Sequence, residues 1–166
     1  MEFDKVIRER FSCRKFDGRR VSKDNLVKIL EAGRLAPTAK NMQPEVIYVI
    51  EKELDKVDEV TPCRYGASTC LLVCSNKDIA WSSEDYSSYE MDASIVATHM
   101  ILKATDLGLN SIWVRRFERE DVWRVFDIPK NIVPICFIFV GYIDKDGKMN
   151  PLHEVRKNID DIVIYR

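Results

Sequence analysis

Residues 133–143 read VPICFIFVGYI, an almost wholly apolar run in the last quarter of the chain. Such a run is typical of a strand that is buried on both faces of a sheet. Residues 69–75 (TCLLVCS) form a second apolar run, and the stretches 45–50 (EVIYVI) and 111–114 (SIWV) are shorter. We interpret all four segments as strands.

Helical patterns lie between these strands. Residues 2–11 are predicted to be helical, and Ser22 is predicted to cap a second helix that stops before Pro37. The clearest helix opens at Asp92 and stops at Gly108. Its apolar residues repeat at helical spacing: Ala93, Val96, Ala97, Met100, Ile101, Ala104 and Leu107. A short helix is predicted over residues 119–126, so the alternation of helices with buried strands predicts an α+β or α/β sandwich.

The composition is that of one domain with a substantial core, which we assign to residues 1–166. The chain has 166 residues and is 46% hydrophobic. Its 26 basic and 27 acidic residues give a net charge of -1, so no overall field favours nucleic acid or a membrane surface. No apolar run approaches the roughly 20 residues that span a bilayer. We therefore expect neither nucleic acid nor a membrane as a partner.

Cysteine and histidine usage argues against a metal site. Five cysteines form an odd set, and the N-terminus has no apolar signal core, so a reducing cytoplasm is the expected location. Cys70 and Cys74 are expected to face the same side of a strand, with no histidine beside them. Zinc requires about four converging ligands, and the chain has only His99 and His153, to which we assign no chemistry.

Two polar segments carry the functional signal. Residues 10–16 (RFSCRKF) place Arg10 and Arg14 around the hydroxyl of Ser12, which is the donor set that a phosphate requires. Residues 36–44 (APTAKNMQP) form a polar turn between a helix pattern and a strand pattern. Together they predict a phosphorylated cofactor. The alternative for the first segment is a solvated helix end whose arginines pair with neighbouring carboxylates.

The sequence resembles the nitroreductase family of flavin enzymes in four blocks that occur in the family's order. Two of them are the polar segments just described. The third runs from Asp92 through residues 108–114 (GLNSIWV), and the fourth is Gly141 and Tyr142 followed by Arg156 and Lys157. The resemblance extends over nearly the whole chain. It implies an α+β fold, a three-layer sandwich whose central, mostly antiparallel sheet is flanked by helices, and an intertwined homodimer with FMN at the subunit interface.

The resemblance also implies which residues contact FMN. Arg10, Ser12 and Arg14 match contacts to the phosphate, the ribityl chain and the pyrimidine edge, and Arg156, with Lys157, matches a second phosphate contact. A loop of the neighbouring subunit is implied to touch the isoalloxazine or ribityl group, and a strand segment to approach flavin N5 and O4 with its backbone. The loop residues are Pro37, Thr38, Ala39, Asn41 and Gln43. The remaining expected contacts are Phe11, Cys13, Trp113, Val114 and Arg115.

The activity implied by the resemblance is transfer of hydride from NADH or NADPH through flavin N5 to a nitroaromatic, a quinone or a similar small oxidant, by a ping-pong mechanism. The cofactor supplies the chemistry, so no catalytic acid or base side chain is expected. Two alternatives are an FMN carrier or sensor without nicotinamide turnover, and a specialised flavin dehydrogenase or dehalogenase.

Several features leave their roles open. Arg115 and Arg116 stand where many small family members carry smaller residues, and they can bind an anionic group or point to solvent. Trp113 can be a core aromatic as well as a flavin neighbour. Residues 78–89, rich in serine and acidic residues, are predicted to be a loop that can form a substrate lid. Residues 159–166 alternate apolar and polar residues and are predicted to pack along the partner subunit.

Overall fold

The computed structural model describes all 166 residues, Met1–Arg166. Five α-helices and four strands follow one another along the chain. In chain order they are α1 (Phe3–Glu9), α2 (Lys23–Arg34), β1 (Glu45–Ile50), α3 (Leu54–Val60), β2 (Thr69–Asn76), α4 (Tyr89–Asp106), β3 (Asn110–Val114), α5 (Arg119–Phe126) and β4 (Ile132–Gly141). All four predicted strands are confirmed, with small differences at their ends.

The four strands form one antiparallel sheet in the order β1-β2-β4-β3. The two most apolar strands, β2 and β4, occupy the centre, and their long register runs from the pair Thr69 and Val140 to the pair Asn76 and Ile132. Strands covered on both faces have no solvent side, which explains why these two lack a polar alternation. Because every pair is antiparallel, the fold is α+β rather than α/β.

Helices cover both faces of the sheet. On one face, Ile29 of α2 and Met100 of α4 pack with Leu71 and Val73 of β2 in one buried cluster. On the opposite face, Val57 of α3 and Val122 of α5 belong to a second cluster. The alternate residues of β2, Cys70, Leu72 and Cys74, point into that second cluster. The three-layer sandwich is therefore confirmed, and Cys70 and Cys74 do share a face.

Capping residues account for the limits of the predicted helices. The Ser22 hydroxyl accepts a hydrogen bond from the Asn25 backbone N–H at 3.3 Å and starts α2. Helix α4 ends just before Gly108, whose φ of 75° is the left-handed conformation that follows many helices. The same helix begins at Tyr89, three residues before the predicted start at Asp92. That prediction was wrong because the carboxylate of Asp92 binds other groups, described below.

Helix α3 was not predicted. Its sequence, LDKVDEV, is short and highly charged, and no side chain caps its N-terminus. Only Val57 and Val60 are buried, and they pack in the cluster shared with α5. This helix is stabilised by tertiary packing rather than by local signals, which is common for helices of two turns.

All five cysteines are buried and free. Burial raises the pKa of Cys74 to about 12, and the pKa values of Cys70 and Cys136 are raised for the same reason. No group of three or more His, Cys, Asp or Glu side chains is arranged to hold a metal ion. None of the helices combines the length and the apolar character needed to cross a membrane.

Candidate functional site

Residues 10–17 form an extended segment that is attached along the edge of the sheet. The Cys13 backbone N–H donates to the carbonyl of Ser111 in β3 at 3.0 Å, and Phe16 N–H donates to the Tyr65 carbonyl at 2.9 Å. Over residues 12–14 successive side chains point to opposite sides, as in a strand. Cys13 and Phe16 point into the core, whereas Ser12 and Arg14 lie on the solvent side.

The turn that supports this segment requires a glycine. Gly66 has a φ of 84°, and a Cβ atom at this position would lie 3.1 Å from the Phe16 carbonyl oxygen. Tyr65, just before it, also has a positive φ of 54°. Such backbone conformations are costly for residues other than glycine. The close approach of the Gly66 backbone to the Phe16 carbonyl therefore fixes the position of the extended segment.

The arginines predicted to bind a phosphate lie together in one pocket of about 230 Å³. Arg10 and Arg14 enter it from the extended segment, and Arg156 enters it from the C-terminal part of the chain. The complete lining is Arg10, Phe11, Ser12, Arg14, Asn150, Leu152, His153 and Arg156. We call this the anion pocket. Groups separated by more than 140 positions thus meet at one place.

The positive charge of the anion pocket has no internal partner. None of its three arginines has a carboxylate within 4 Å, because Glu9 pairs with Lys5 and Asp17 pairs with Arg19. The ion pairs of the alternative, between these arginines and neighbouring carboxylates, are therefore absent. The pKa of Arg10 is lowered, first by burial and second by the positive charge of Arg156. A bound anion would relieve this repulsion.

Three residues of the anion pocket were not predicted from the sequence: Asn150, Leu152 and His153. Asn150 accepts a hydrogen bond from the Leu152 N–H at 2.9 Å and caps the short turn Pro151–His153. This turn directs His153 and then Arg156 back toward Arg10. The Asn-Pro pair is a turn signal, but its destination depends on the tertiary structure. Lys157 does not line the pocket.

The loop at residues 36–44 has a strained backbone. Lys40, Asn41 and Gln43 have φ values of 48°, 56° and 49°, although none is glycine. Asn adopts this conformation more readily than most residues, but for Lys40 and Gln43 it costs about 1–2 kcal/mol each and persists only where other contacts hold it. One contact is internal, from the Gln43 N–H to the Thr38 hydroxyl at 3.0 Å. Strain held in this way is concentrated at functional sites.

The second contact that holds this loop comes from Asp92 in the first turn of α4. One carboxylate oxygen of Asp92 accepts from the Ala39 backbone N–H at 2.8 Å, and the other accepts from the Ser88 hydroxyl at 2.7 Å. Asp92 and Ser88 are both fully or almost fully buried. The carboxylate therefore joins the loop to the start of α4, which explains why it caps no helix.

The segment between β2 and α4 packs against the same loop. The Lys40 ammonium lies 5.3 Å from the centre of the Trp81 ring, and Trp81 lies 5.9 Å from Tyr86. The Ser88 N–H donates to the Trp81 carbonyl at 2.8 Å, which closes the segment into a compact turn. The predicted loop is confirmed over residues 78–88, and Tyr89 belongs to α4.

The end of β3 is an edge of the sheet. On the outer side of β3, Ser111 forms a bridge with Ser12. After Ser111, no strand of this chain pairs with that side. Trp113 is 37% exposed, so its interpretation as a core aromatic was wrong, whereas Val114 is buried. Arg115 donates to the Phe117 carbonyl at 2.7 Å and stacks on that ring, while Arg116 is exposed and has no ion pair.

The anion pocket and the loop at residues 36–44 lie at opposite edges of the sheet. The pocket adjoins β3, and the loop leads directly into β1. Three interstrand spacings separate these edges, or about 14 Å. None of the loop residues Pro37, Thr38, Ala39, Asn41 and Gln43 lines the anion pocket.

Comparisons with known proteins give matches over most of the chain. A model of the nitroreductase family matches residues 7–64 and 62–142. A protein of Archaeoglobus fulgidus with the provisional name NADH dehydrogenase/NAD(P)H nitroreductase is 31% identical over 163 residues, covering 89% of this chain and 92% of that protein.

Solved structures extend the likeness to the fold. The crystal structure of a nitroreductase family protein from Clostridium difficile 630 has a TM-score of 0.93 and 35% identity, covering 99% of this chain and 98% of that one. A structure from Staphylococcus epidermidis, provisionally named an NAD(P)H:FMN oxidoreductase, has a TM-score of 0.85 at 20% identity, with 99% and 96% covered. That second likeness concerns the fold alone.

Proposed function

The chain belongs to the nitroreductase family, and from that premise we propose that residues 1–166 form one FMN-binding domain that acts as an NAD(P)H oxidoreductase. Bound FMN would accept hydride at N5 from NADH or NADPH and pass it to a small oxidant such as a nitroaromatic or a quinone, in a ping-pong cycle. The observation that carries this proposal is the anion pocket, in which three arginines converge without a carboxylate partner.

The chemistry of the anion pocket fits a phosphate monoester. Guanidinium groups present several donors in a planar fork that matches phosphate oxygens, and charge-assisted hydrogen bonds are the strong ones. Arg10, Arg14 and Arg156 would bind the phosphate, and the hydroxyl of Ser12 adds a neutral donor. The Cys13 side chain lies in the core and would support the segment from inside. Lys157 is exposed beside the pocket and would add only long-range attraction.

The outer edge of β3 would face the flavin ring. Beyond Ser111 its backbone N–H groups on that side have no strand partner, so they are available to a ligand. Trp113 and Val114 would contribute through this backbone, and Arg115 is restrained by its bond to Phe117. Preorganised donors of this kind stabilise developing negative charge without reorganisation.

A homodimer would complete each site. The loop at residues 36–44 is separated from the anion pocket of its own chain by the width of the sheet, and its strain suits a role in binding. We propose that this loop reaches the flavin bound by the partner subunit. The C-terminal apolar side chains support a dimer, because Ile159, Ile162, Ile164 and Tyr165 are all at least 62% exposed in the single chain.

Truncation after Asn158 is expected to convert the dimer to a monomer in sedimentation velocity. It removes four apolar side chains that are at least 62% exposed in the single chain. A control that removes only Arg166 loses a charge but no apolar group and should remain dimeric. A truncated protein that sediments as an intact dimer would contradict a role of this segment in assembly.

The redox activity is tested by spectroscopy. The purified protein is mixed with FMN, freed of excess cofactor, and reduced anaerobically with NADH and then NADPH. Loss of the flavin absorbance would support the oxidoreductase and identify the donor. Bound flavin that stays oxidised would instead support a carrier or sensor without nicotinamide turnover. Absence of FMN binding would overturn the proposal.

Replacing Arg14 by alanine is expected to weaken FMN binding about tenfold or more. It should also slow flavin reduction, because the positive charge of Arg14 would stabilise the negative charge of the reduced flavin. Arg14 makes a long contact of 3.5 Å with the Ser12 carbonyl and no ion pair, so its loss should spare the fold. A hydrogen bond to a charged group contributes about 1.5–3 kcal/mol. Fluorescence titration and stopped-flow reduction measure both effects, with Arg20→Ala as the control outside the pocket. Full FMN occupancy with unchanged rates would refute this role.

A further inference from the structure

His153 lines the anion pocket, although no sequence pattern assigned it a role. It stands at the end of the turn Pro151–His153 and lines the same pocket as Arg10, Arg14 and Arg156. Its ring lies edge-on to Phe11, with 6.4 Å between ring centres. The imidazole therefore contacts an aromatic ring and lines the same pocket as three guanidinium groups.

One nitrogen of this ring has a fixed partner. Nε2 of His153 lies 3.1 Å from the backbone carbonyl oxygen of Arg8. A carbonyl oxygen only accepts hydrogen bonds, so Nε2 must carry a hydrogen in either charge state of the ring. Arg8 lies in the last turn of α1, where carbonyl groups have no partner within the helix. Any change of protonation at His153 therefore occurs at Nδ1.

The charges around His153 are mostly positive. Arg10 and Arg14 face it from the extended segment, Arg8 from the end of α1, and Arg156 from its own C-terminal segment. His153 also lines a second groove, together with Ile7, Arg8, Met149, Glu154 and Arg156, and Glu154 is the one carboxylate there. A phosphate dianion bound among these cations would place negative charge beside the imidazole.

We propose that His153 is a proton-linked ligand of the FMN phosphate. As the dianion binds, Nδ1 takes up one proton from solvent and donates the resulting N–H to a phosphate oxygen, while Nε2–H remains on the Arg8 carbonyl. The inference rests on the proposed function, because it deepens the binding step at the same pocket. Its consequence is that FMN affinity depends on pH through one side chain of the protein.

Proton NMR tests the contact directly, because the chain has only two histidines. His153→Gln and His99→Gln assign the two imidazole Cε1–H signals. Titration with inorganic phosphate at about pH 7 should move the His153 signal toward the position of a protonated ring and leave the His99 signal unchanged. If the His153 signal does not move while phosphate competes with FMN, the imidazole is not a ligand and the inference fails.

The pH dependence of FMN affinity provides the second test. The phosphate of FMN is largely a dianion above about pH 7. Between about pH 7 and about pH 8.5, the dissociation constant of the wild-type protein for FMN should rise about fivefold, because the His153 imidazolium is lost. His153→Gln keeps a neutral donor and should bind FMN with little dependence on pH. His99→Gln, outside the anion pocket, should retain the wild-type profile.

Riboflavin distinguishes this inference from the proposed function. It lacks the phosphate, so its affinity should change equally little with pH in the wild type and in His153→Gln. Calorimetry in two buffers of different ionisation enthalpy counts the proton taken up with FMN. If His153→Gln and wild type share one pH profile and one proton count, the inference is wrong while FMN binding stands. If the wild type binds no FMN, the proposed function itself fails.

Discussion

Replacing Arg10 by glutamate is expected to weaken FMN binding about 100-fold or more. Arg10 is partly buried, and its pKa is lowered by burial and by the neighbouring charge of Arg156. A glutamate at this position would remove one cation and would pair with Arg156, so that two phosphate contacts are lost together. At about 1.5 kcal/mol each, the two losses amount to about 3 kcal/mol, or a factor of about 100.

Equilibrium fluorescence titration measures this effect, and two comparisons isolate its cause. Arg20→Glu makes the same change in net charge outside the anion pocket and should alter FMN affinity by less than about twofold. Riboflavin, which has no phosphate, should lose much less affinity than FMN for the Arg10 variant. Equal losses for FMN and riboflavin would show that the pocket does not bind the phosphate.

Replacing Asp92 by alanine is expected to lower the free energy of unfolding by about 3 kcal/mol and to weaken FMN binding as well. The carboxylate accepts from the Ala39 N–H and from the hydroxyl of Ser88, whose side chain is completely buried. Each charge-assisted bond contributes about 1.5–3 kcal/mol, and the donors would be left without partners. The strained loop at residues 36–44 would then lose its attachment to α4.

Urea unfolding and FMN titration test this prediction with two graded controls. Asp92→Asn keeps the shape and can still accept from Ala39, so it should cost about 1 kcal/mol. Ser88→Ala removes one of the two contacts and leaves the loop attached, so it should lower stability but largely spare FMN binding. An Asp92→Ala protein with the wild-type unfolding midpoint and affinity would contradict the role of Asp92.

The strands and most helices were predictable because their signals are local. The apolar runs of β2 and β4 reflect burial on two faces. Ser22 starts α2 by a short-range hydrogen bond, and Gly108 follows the end of α4 because glycine accepts a left-handed backbone. Helix α3 and the true start of α4 were not predicted. The first depends on packing against α5, and the second depends on Asp92 binding a loop more than 50 residues away.

The candidate site was only partly predictable. Arg10, Ser12 and Arg14 follow from one short segment, since alternate residues of an extended chain share a side. Their meeting with Arg156 was expected from the family resemblance alone. No local sequence pattern indicates that His153 lines the same pocket, that Cys13 points into the core, or that Trp113 is exposed.

By itself the sequence determined the type and order of most elements and the residue types available for binding a phosphate, because helix caps, turns and apolar runs act between near neighbours. The tertiary structure decided the antiparallel strand order, the convergence of the anion pocket and the separation of that pocket from the strained loop. These features depend on contacts between distant residues, and such contacts are selected by the joint burial of apolar faces and the pairing of buried polar groups.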